Sequence, residues 1–505
     1  MKKAAILVFA LACLALAAPR RPKLIVTIII DQFRFDYLTR YRTEYTAGFD
    51  RLLTRGAVFA SANYIHVPAI TAVGHSTILS GATPSISGIV ANDWYDREER
   101  AAVTSVSDKA TDLLGGAAGR KGSSPNRMLV STIGDQLKMV SANSHVIGIS
   151  LKDRSAILPA GHMADGAIWF DDKTGNFVSS TYYYPELPAW VREYNAARPV
   201  DRYKGVTWLG HQLPVDAKLY NAMETTPFGN DLVEAMAERA LSAVDLGKHD
   251  ATDLLVVSFS SNDYVGHDYG PDSKEAHEIS TATDRLLGKF LQAVDAQAGA
   301  DNVLVVLTAD HGGAPLPETN RARKMPGGRL LSSSIKQTVQ SALVARYGPG
   351  EWVAGAWDLA VYLNRDLIAG KKLDLTEVQH EAAGALEALP HVFRVYTLDD
   401  AAHGRVLPDE ITRKVVNGFN LRRSPDVEFI PDPYWVVRTS DSGTSHASPF
   451  SYDTHVPIIF MGSGIRPGTY YQPVIVNDIA PTLAAILQIE PPSGSVGRVL
   501  SEIFE

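Results

Sequence analysis

Short apolar runs rich in β-branched residues recur along this chain, and four of them lead straight to charged side chains. Residues 23–30 (K-L-I-V-T-I-I-I) end on Asp31, residues 145–151 on Lys152-Asp153-Arg154, residues 254–259 precede Asp263 and His267, and residues 302–309 run into Asp310-His311-Gly312-Gly313. Runs this apolar belong to strands buried on both faces, and amphipathic helical patterns between them, such as 231–245 and 279–294, read as layers packed on a sheet. The expected fold is therefore α/β, a mostly parallel sheet sandwiched by helices. Ligands bind such sheets at the carboxyl ends of the strands, so these acids, histidines and cations are expected to meet at one rim. A further strand, 456–461, follows Gly443-Thr444-Ser445-His446.

Two regions interrupt the alternation. Residues 167–184 read as a hairpin turning at Asp171–Asn176 and ending on Tyr182-Tyr183-Tyr184, and residues 315–433 hold two helices and a strand of their own. Both are read as cap insertions over the rim, at about 155–228 and 315–433, within one catalytic domain covering 19–505.

Residues 1–18 read as a signal peptide: Lys2 and Lys3, an apolar run from Ala4 to Leu16, then Ala17-Ala18. The run is short for a membrane span, so a periplasmic or secreted protein without a span after leader removal is expected. Cys13, the only cysteine, falls inside the leader, leaving the mature chain no disulfide and no thiolate nucleophile. Lipid anchoring through Cys13 is the lesser reading, because the apolar run continues past it. Loss of Lys2 and Lys3 takes 48 basic residues to 46 against 56 acidic, a net −10, which gives no sign of a nucleic-acid or anionic-membrane partner. A monomer is the default expectation.

In residues 66–95, the rigid Val67-Pro68 entry is followed by Thr71 and a helix-compatible segment that Gly81 and Pro84 stop. Thr71 then lies near a helix N-terminus, where unpaired N–H groups and the macrodipole favour an oxyanion or phosphate. Taken alone, Thr71 reads as an N-cap, since Ser and Thr cap helices far more often than they attack substrates. The rest of the chain reverses those odds.

The ligand inventory is three carboxylates (Asp31, Asp263, Asp310), three imidazoles (His267, His311, His446) and the Thr71 hydroxyl. Oxygen and nitrogen donors without sulfur suit zinc. Seven donors are too many for one tetrahedral ion and fit two ions about 4 Å apart, as in two-metal phosphoryl-transfer sites. Three carboxylates and a Thr71 alkoxide carry four negative charges, which two Zn2+ cancel. Lys152 and Arg154, two apart on extended chain, are expected to project to one side and aim positive charge at a doubly charged phosphate monoester. His75 is read as fixing its helix, and His455 is the rival of His446 for the last ligand position.

In order, Asp31, T-x-x-G-H from Thr71, G-x-x-x-N-D from Gly88, Lys152-x-Arg154, D-x-x-x-H-x-x-G-P from Asp263, D-H-G from Asp310 and G-T-x-H from Gly443 resemble the alkaline phosphatase superfamily. Within it the chain is similar to the single-threonine bacterial alkaline phosphatases of the PafA type, from Asp31 to a terminal helix near 478–489. The resemblance implies that Thr71 is phosphorylated and bridges to one metal held by Asp31, Asp310 and His311. It implies Asp263, His267 and His446 as ligands of the second metal, Asn92 as the amide on a phosphoryl oxygen, and Lys152 with Arg154 as the phosphate clamp.

The expectation is an exported phosphate monoesterase working through a phosphothreonine with two zinc ions, fastest at alkaline pH. The nearest alternative is a phosphodiesterase of the nucleotide pyrophosphatase type, against which the Lys-x-Arg pair argues, since a diester lacks the charge it would neutralise. A sulfatase needs an oxidisable Cys or Ser where Thr71 stands, and export argues against a mutase. A metal- or carbohydrate-binding protein with a dead site would have lost a ligand, and none is missing.

Overall fold

The computed structural model describes residues 21–504; the expected leader and Cys13 lie outside the described residues. A twelve-stranded sheet organises the chain. Its strands are β1 (Leu24–Ile30), β2 (Ala57–Asn63), β3 (Ser107–Leu114), β4 (Lys121–Ser123), β5 (Val146–Ser150), β6 (Gly166–Asp171), β7 (Asn176–Ser180), β8 (Asp253–Phe259), β9 (Val303–Thr308), β10 (His455–Gly462), β11 (Gly468–Tyr470) and β12 (Val474–Ile475). The order is β11-β2-β10-β9-β1-β8-β5-β6-β7-β3-β4, with β12 beside β2. The middle, β9-β1-β8-β5-β6, is parallel, while β10 runs antiparallel between β9 and β2. β1, β5, β8 and β9 are buried at every residue, as two-sided apolar runs require.

Helices cover both faces. Along β6, Ile168 and Phe170 join one apolar cluster with Leu232, Met236 and Leu287, while Ala167 and Trp169 join another with Ala156, Ile157 and Leu158. Alternate residues of one strand point to opposite faces, so the two clusters are the two helical layers. The helices that matter to the site are α1 (Thr71–Ser80), α2 (Asp153–Ala160), α3 (Pro227–Ala243), α4 (Ser261–Tyr269) and α5 (Lys274–Ala298).

The first expected cap needs correction. Its hairpin strands are β6 and β7, which extend the main sheet, with the polar strand β3 beyond them. Pairing partners distant in sequence decide whether a hairpin caps a site or widens a sheet, and local pattern does not carry that information. Within residues 315–433 lies a smaller sheet packed with helices around an apolar cluster. Helices Ser332–Tyr347 and Leu375–Glu387 pack with a four-stranded sheet of Val353–Trp357, Ala360–Leu363, Val427–Pro431 and Val392–Thr397, around Val339, Leu343, Trp352, Val361, Leu386 and Phe429. Val67, Ile70 and Val73 belong to the same cluster, so the smaller sheet and its helices are seated against the start of α1. Among the described residues no helix is long and apolar enough to cross a membrane.

Candidate active site

Strand register brings the candidate residues to one rim. Ile30 pairs with Phe259 and Ile29 with Thr308, so Asp31 and Asp310 leave neighbouring strands at the same level and α4, carrying Asp263, starts beside them. Ser258 pairs with Ser150, which delivers Lys152 to the same edge. Because β10 is antiparallel, the loop before it, with His446, arrives from the same side.

Thr71 is the first residue of α1, a helix buried throughout. The cap position is Ile70, with no side-chain cap, and Thr71 itself is only 2% exposed, so the hydroxyl is not spent on capping. One of the helix's free N–H groups, that of Ala72, donates to Asn92 Oδ1 at 2.8 Å, which orients the Asn92 amide at the helix start. Gly74 is required here: a Cβ on it would lie 2.1 Å from the Asp310 carbonyl oxygen, so only glycine lets α1 rest on the Asp310 backbone. His75 holds the helix, its Nδ1 on the Thr71 carbonyl at 2.9 Å and its Nε2 on Ser258 Oγ at 2.8 Å, as the sequence reading has it.

The three histidines share one arrangement. Each donates Nδ1–H to a backbone carbonyl: His267 to Thr444 at 2.8 Å, His311 to Gly312 at 2.8 Å, His446 to Ala69 at 2.9 Å. That fixes the tautomer with the lone pair on Nε2 and turns all three Nε2 atoms toward the carboxylates. His267 Nε2 is 3.2 Å and His446 Nε2 3.7 Å from Asp263 Oδ1, and His311 Nε2 lies 3.5 Å from Asp31 Oδ1 and 3.4 Å from Asp310 Oδ2. Asp31 Oδ1, Asp310 Oδ2 and His311 Nε2 are buried donor atoms without a hydrogen-bond partner. Buried polar atoms are seldom left so, and convergent oxygen and nitrogen lone pairs with no proton between them fit divalent cations.

Among the described residues two groups have donor atoms mutually within 4.8 Å: Asp263, His267 and His446, and Asp31, Asp263 and His311. Asp263 therefore stands between both groups, and Asp310 reaches the second through His311 while its Oδ2 also lies 3.2 Å from His75 Nδ1. His455 is elsewhere, on the Ala60 carbonyl at 3.0 Å and stacked on Phe35, which removes it as the rival of His446.

Lys152 Nζ lies 2.7 Å from Asp31 Oδ2 and 2.5 Å from Asp263 Oδ2, joining the two groups. The premise of an extended Lys-x-Arg is corrected: Lys152 is the extended cap residue of α2 and Arg154 is within its first turn. Arg154 is half-buried at the start of that helix, and its buried Nε has no hydrogen-bond partner.

Burial and neighbouring charge pull the cluster's groups in different directions. Burial, reinforced by Asp310, pushes the Asp31 carboxyl up to about 7. Burial takes His311 down to about 4, and burial with the neighbouring His311 and His267 rings holds His446 well below the usual range. Burial also opposes ionisation of Asp263, but Lys152, His267 and His446 outweigh it and hold its carboxyl well below the ordinary value.

The sequence reading missed Gln32. It adopts a left-handed backbone (φ 60°), donates Nε2–H to Asp263 Oδ1 at 2.6 Å and its backbone N–H to Asp310 Oδ1 at 3.1 Å, tying the two acids together. Tyr264 was missed too; Lys152 Nζ sits 4.8 Å from its ring centroid. Their only signal was adjacency to Asp31 and Asp263.

A parallel sheet whose strand ends gather these acids and imidazoles, with the start of the helix that opens on Thr71 packed against Asp310, defines a chain of the alkaline phosphatase superfamily. The sequence profile of type I phosphodiesterases / nucleotide pyrophosphatases matches residues 25–456, and the chain belongs to that family. It is 38% identical to alkaline phosphatase PafA of Elizabethkingia meningoseptica over 96% of this chain and 95% of that one. To alkaline phosphatase PhoV of Synechococcus elongatus it is 36% identical, over 96% and 93% of the two chains. The crystal structure of wild-type PafA superposes with a TM-score of 0.89 at 37% identity, covering 96% of this chain and 99% of that one.

Proposed function

We propose that this protein is an exported alkaline phosphatase that hydrolyses small-molecule phosphate monoesters through a phosphothreonine on Thr71, with two zinc ions. One observation carries the reading: His267, His311 and His446 each spend Nδ1–H on a carbonyl, so three Nε2 lone pairs and three carboxylates face one another where the helix that starts at Thr71 packs against Asp310. Asp31, Asp310 and His311 with Thr71, and Asp263, His267 and His446, are the residues that would hold the two ions. Bound there, zinc supplies Lewis-acid charge that eases deprotonation of a hydroxyl or water at neutral to alkaline pH.

The chain's own residues do the rest. Thr71 Oγ attacks phosphorus, the bond to the ester oxygen breaks, and the alcohol leaves. Water then attacks the same phosphorus, the Thr71 Oγ–P bond breaks, and inorganic phosphate is released. In this reading the α1 N-terminus and the Asn92 amide receive phosphoryl oxygens, which the bond from the Ala72 N–H to Asn92 Oδ1 and the burial of Thr71 support. Lys152 and Arg154 bring two positive charges, which suits a dianionic monoester over the monoanionic diester that the family description also covers. The leader expected at 1–18 supports export.

The test is the ratio of kcat/KM for an aryl phosphate monoester to that for the matching diester, measured on zinc-loaded protein. A large monoester preference that collapses in Lys152→Ala supports the reading. A diester preference replaces it with the nucleotide pyrophosphatase alternative.

A further inference from the structure

The loop that supplies His446 has nothing apolar to anchor it. From Thr439 to His446 it reads T-S-D-S-G-T-S-H, and residues 439–442 are exposed. Its position therefore rests on hydrogen bonds. Thr444 forms a reciprocal pair with His267, its N–H donating to the His267 carbonyl at 2.8 Å and its carbonyl accepting His267 Nδ1–H at 2.8 Å. A Cβ on Gly443, whose φ is +71°, would lie 2.5 Å from that same His267 carbonyl, so this backbone is pressed against the histidine. Thr444 Oγ1 also donates to the Ala314 and Pro315 carbonyls at 2.9 and 3.2 Å, and the Ser445 carbonyl accepts the Ala314 N–H at 3.0 Å, so the far side of the loop is held from the main body and the Gly443 carbonyl is the hold on its near side, one residue before the acceptor that sets the His267 ring.

What holds that carbonyl is Arg329. It lies on the short strand Gly328–Leu331, paired in parallel with Trp435–Arg438 where the insertion joins the main body. Its side chain is 6% exposed. One edge of the guanidinium gives the Gly443 carbonyl two bonds, Nε at 2.9 Å and Nη2 at 2.6 Å, and the other grips Glu318 bidentately at 2.6 and 2.8 Å. A planar fork can serve both partners at once, and an ammonium group cannot.

We infer that Arg329 is a positioning residue for one metal, holding the Gly443–His446 loop so that the ion held by Asp263, His267 and His446 is retained while its partner ion is unaffected. This rests on the two-metal reading above. Groups directly behind the ligands, as the Thr444 carbonyl is behind His267, characteristically change metal affinity by about 10- to 100-fold, and Arg329 acts one step further out through Gly443, so the low end of about 10-fold sets the scale.

The experiment follows zinc transfer from the fully loaded enzyme to excess chromophoric chelator, together with thermal unfolding of the metal-free chain. In Arg329→Ala, loss of one zinc equivalent accelerates at least about 10-fold, the other changes less than about 2-fold, and the metal-free midpoint moves by no more than about 2 °C. Arg329→Lys recovers only part of the retention. Glu318→Gln, which leaves the bonds to Gly443 in place, stays within about 3-fold of the wild type. Release of both ions at wild-type rates overturns the inference, as does equal acceleration of both with a lowered metal-free midpoint, which would make Arg329 a general support of the fold. A wild-type chain that takes up no zinc overturns the two-metal reading, and this inference with it.

Discussion

Replacing Gly74 by alanine probes how closely the helix bearing Thr71 must approach the strand bearing Asp310. The added Cβ would stand 2.1 Å from the Asp310 carbonyl oxygen and 2.7 Å from its Cβ, where ordinary contact begins near 3.4 Å. The deficit is 1.3 Å, and neither neighbour is a flexible side-chain end. The oxygen belongs to the backbone and the Cβ is bonded directly to the backbone, just past the end of β9 where the β1/β9 register holds the chain, so α1 must lift by about 1 Å at its first turn, carrying Thr71 with it. A displacement of that size at a reacting atom costs on the order of 100-fold in rate, whereas overpacking of this kind costs about 1–3 kcal/mol in stability. The assay is kcat/KM on an aryl phosphate monoester beside thermal unfolding. Gly384→Ala is the control, because Gly384 lies in the helix Leu375–Glu387 with open space around it, so alanine there stabilises by up to about 1 kcal/mol and leaves activity alone. Activity of Gly74→Ala within 3-fold of wild type would refute the claim that this contact places Thr71.

Three further outcomes are expected. Lys152→Ala removes the charge-assisted bond proposed to a dianionic phosphoryl group, worth about 1.5–3 kcal/mol, so monoester kcat/KM falls about 10- to 150-fold and diester kcat/KM falls less; equal losses would contradict the assigned role. Chelation abolishes turnover, and restoring zinc to the metal-free chain raises its thermal midpoint by several degrees, since about 2.7 kcal/mol accrues at 100 Kd; an unchanged midpoint would contradict the cation fit. Burial alone pushes the Glu428 carboxyl up to about 8. Its folded value exceeds the unfolded one near 4.5, so the stability it contributes is complete below pH 4.5 and lost as pH rises through about 8, at up to about 1.4 kcal/mol per pH unit. Glu428→Gln should therefore gain thermal midpoint on the wild type between pH 5 and 9, and parallel pH curves would refute the argument.

The rim was legible because β1, β5 and β9 each lead within two residues to the side chain they present. Asp31, Asp310-His311 and Lys152 need only their own strand to be recognised, and parallel registry then sets them side by side. What fixes those residues was not legible. The acceptors that set the three imidazoles are the backbone carbonyls of Ala69, Gly312 and Thr444, and any residue has a carbonyl. Gln32 bridges Asp263 and Asp310 across more than two hundred residues of chain, and nothing local marks it. The strand Ser107–Leu114 (S-D-K-A-T-D-L-L) escaped because a polar strand near a sheet edge lacks the apolar run that betrays a central one. The hairpin at 166–180 was read as a cap for the converse reason: its turn was plain, but its neighbours in the sheet were not.

Acid-quenched protein, taken during turnover of an aryl phosphate and digested, tests the central claim most directly. The account predicts a phosphoryl group on Thr71 and on no other residue, absent from Thr71→Ala, which also loses turnover. Turnover retained by Thr71→Ala, or a phosphoryl group carried by a different side chain, would contradict it.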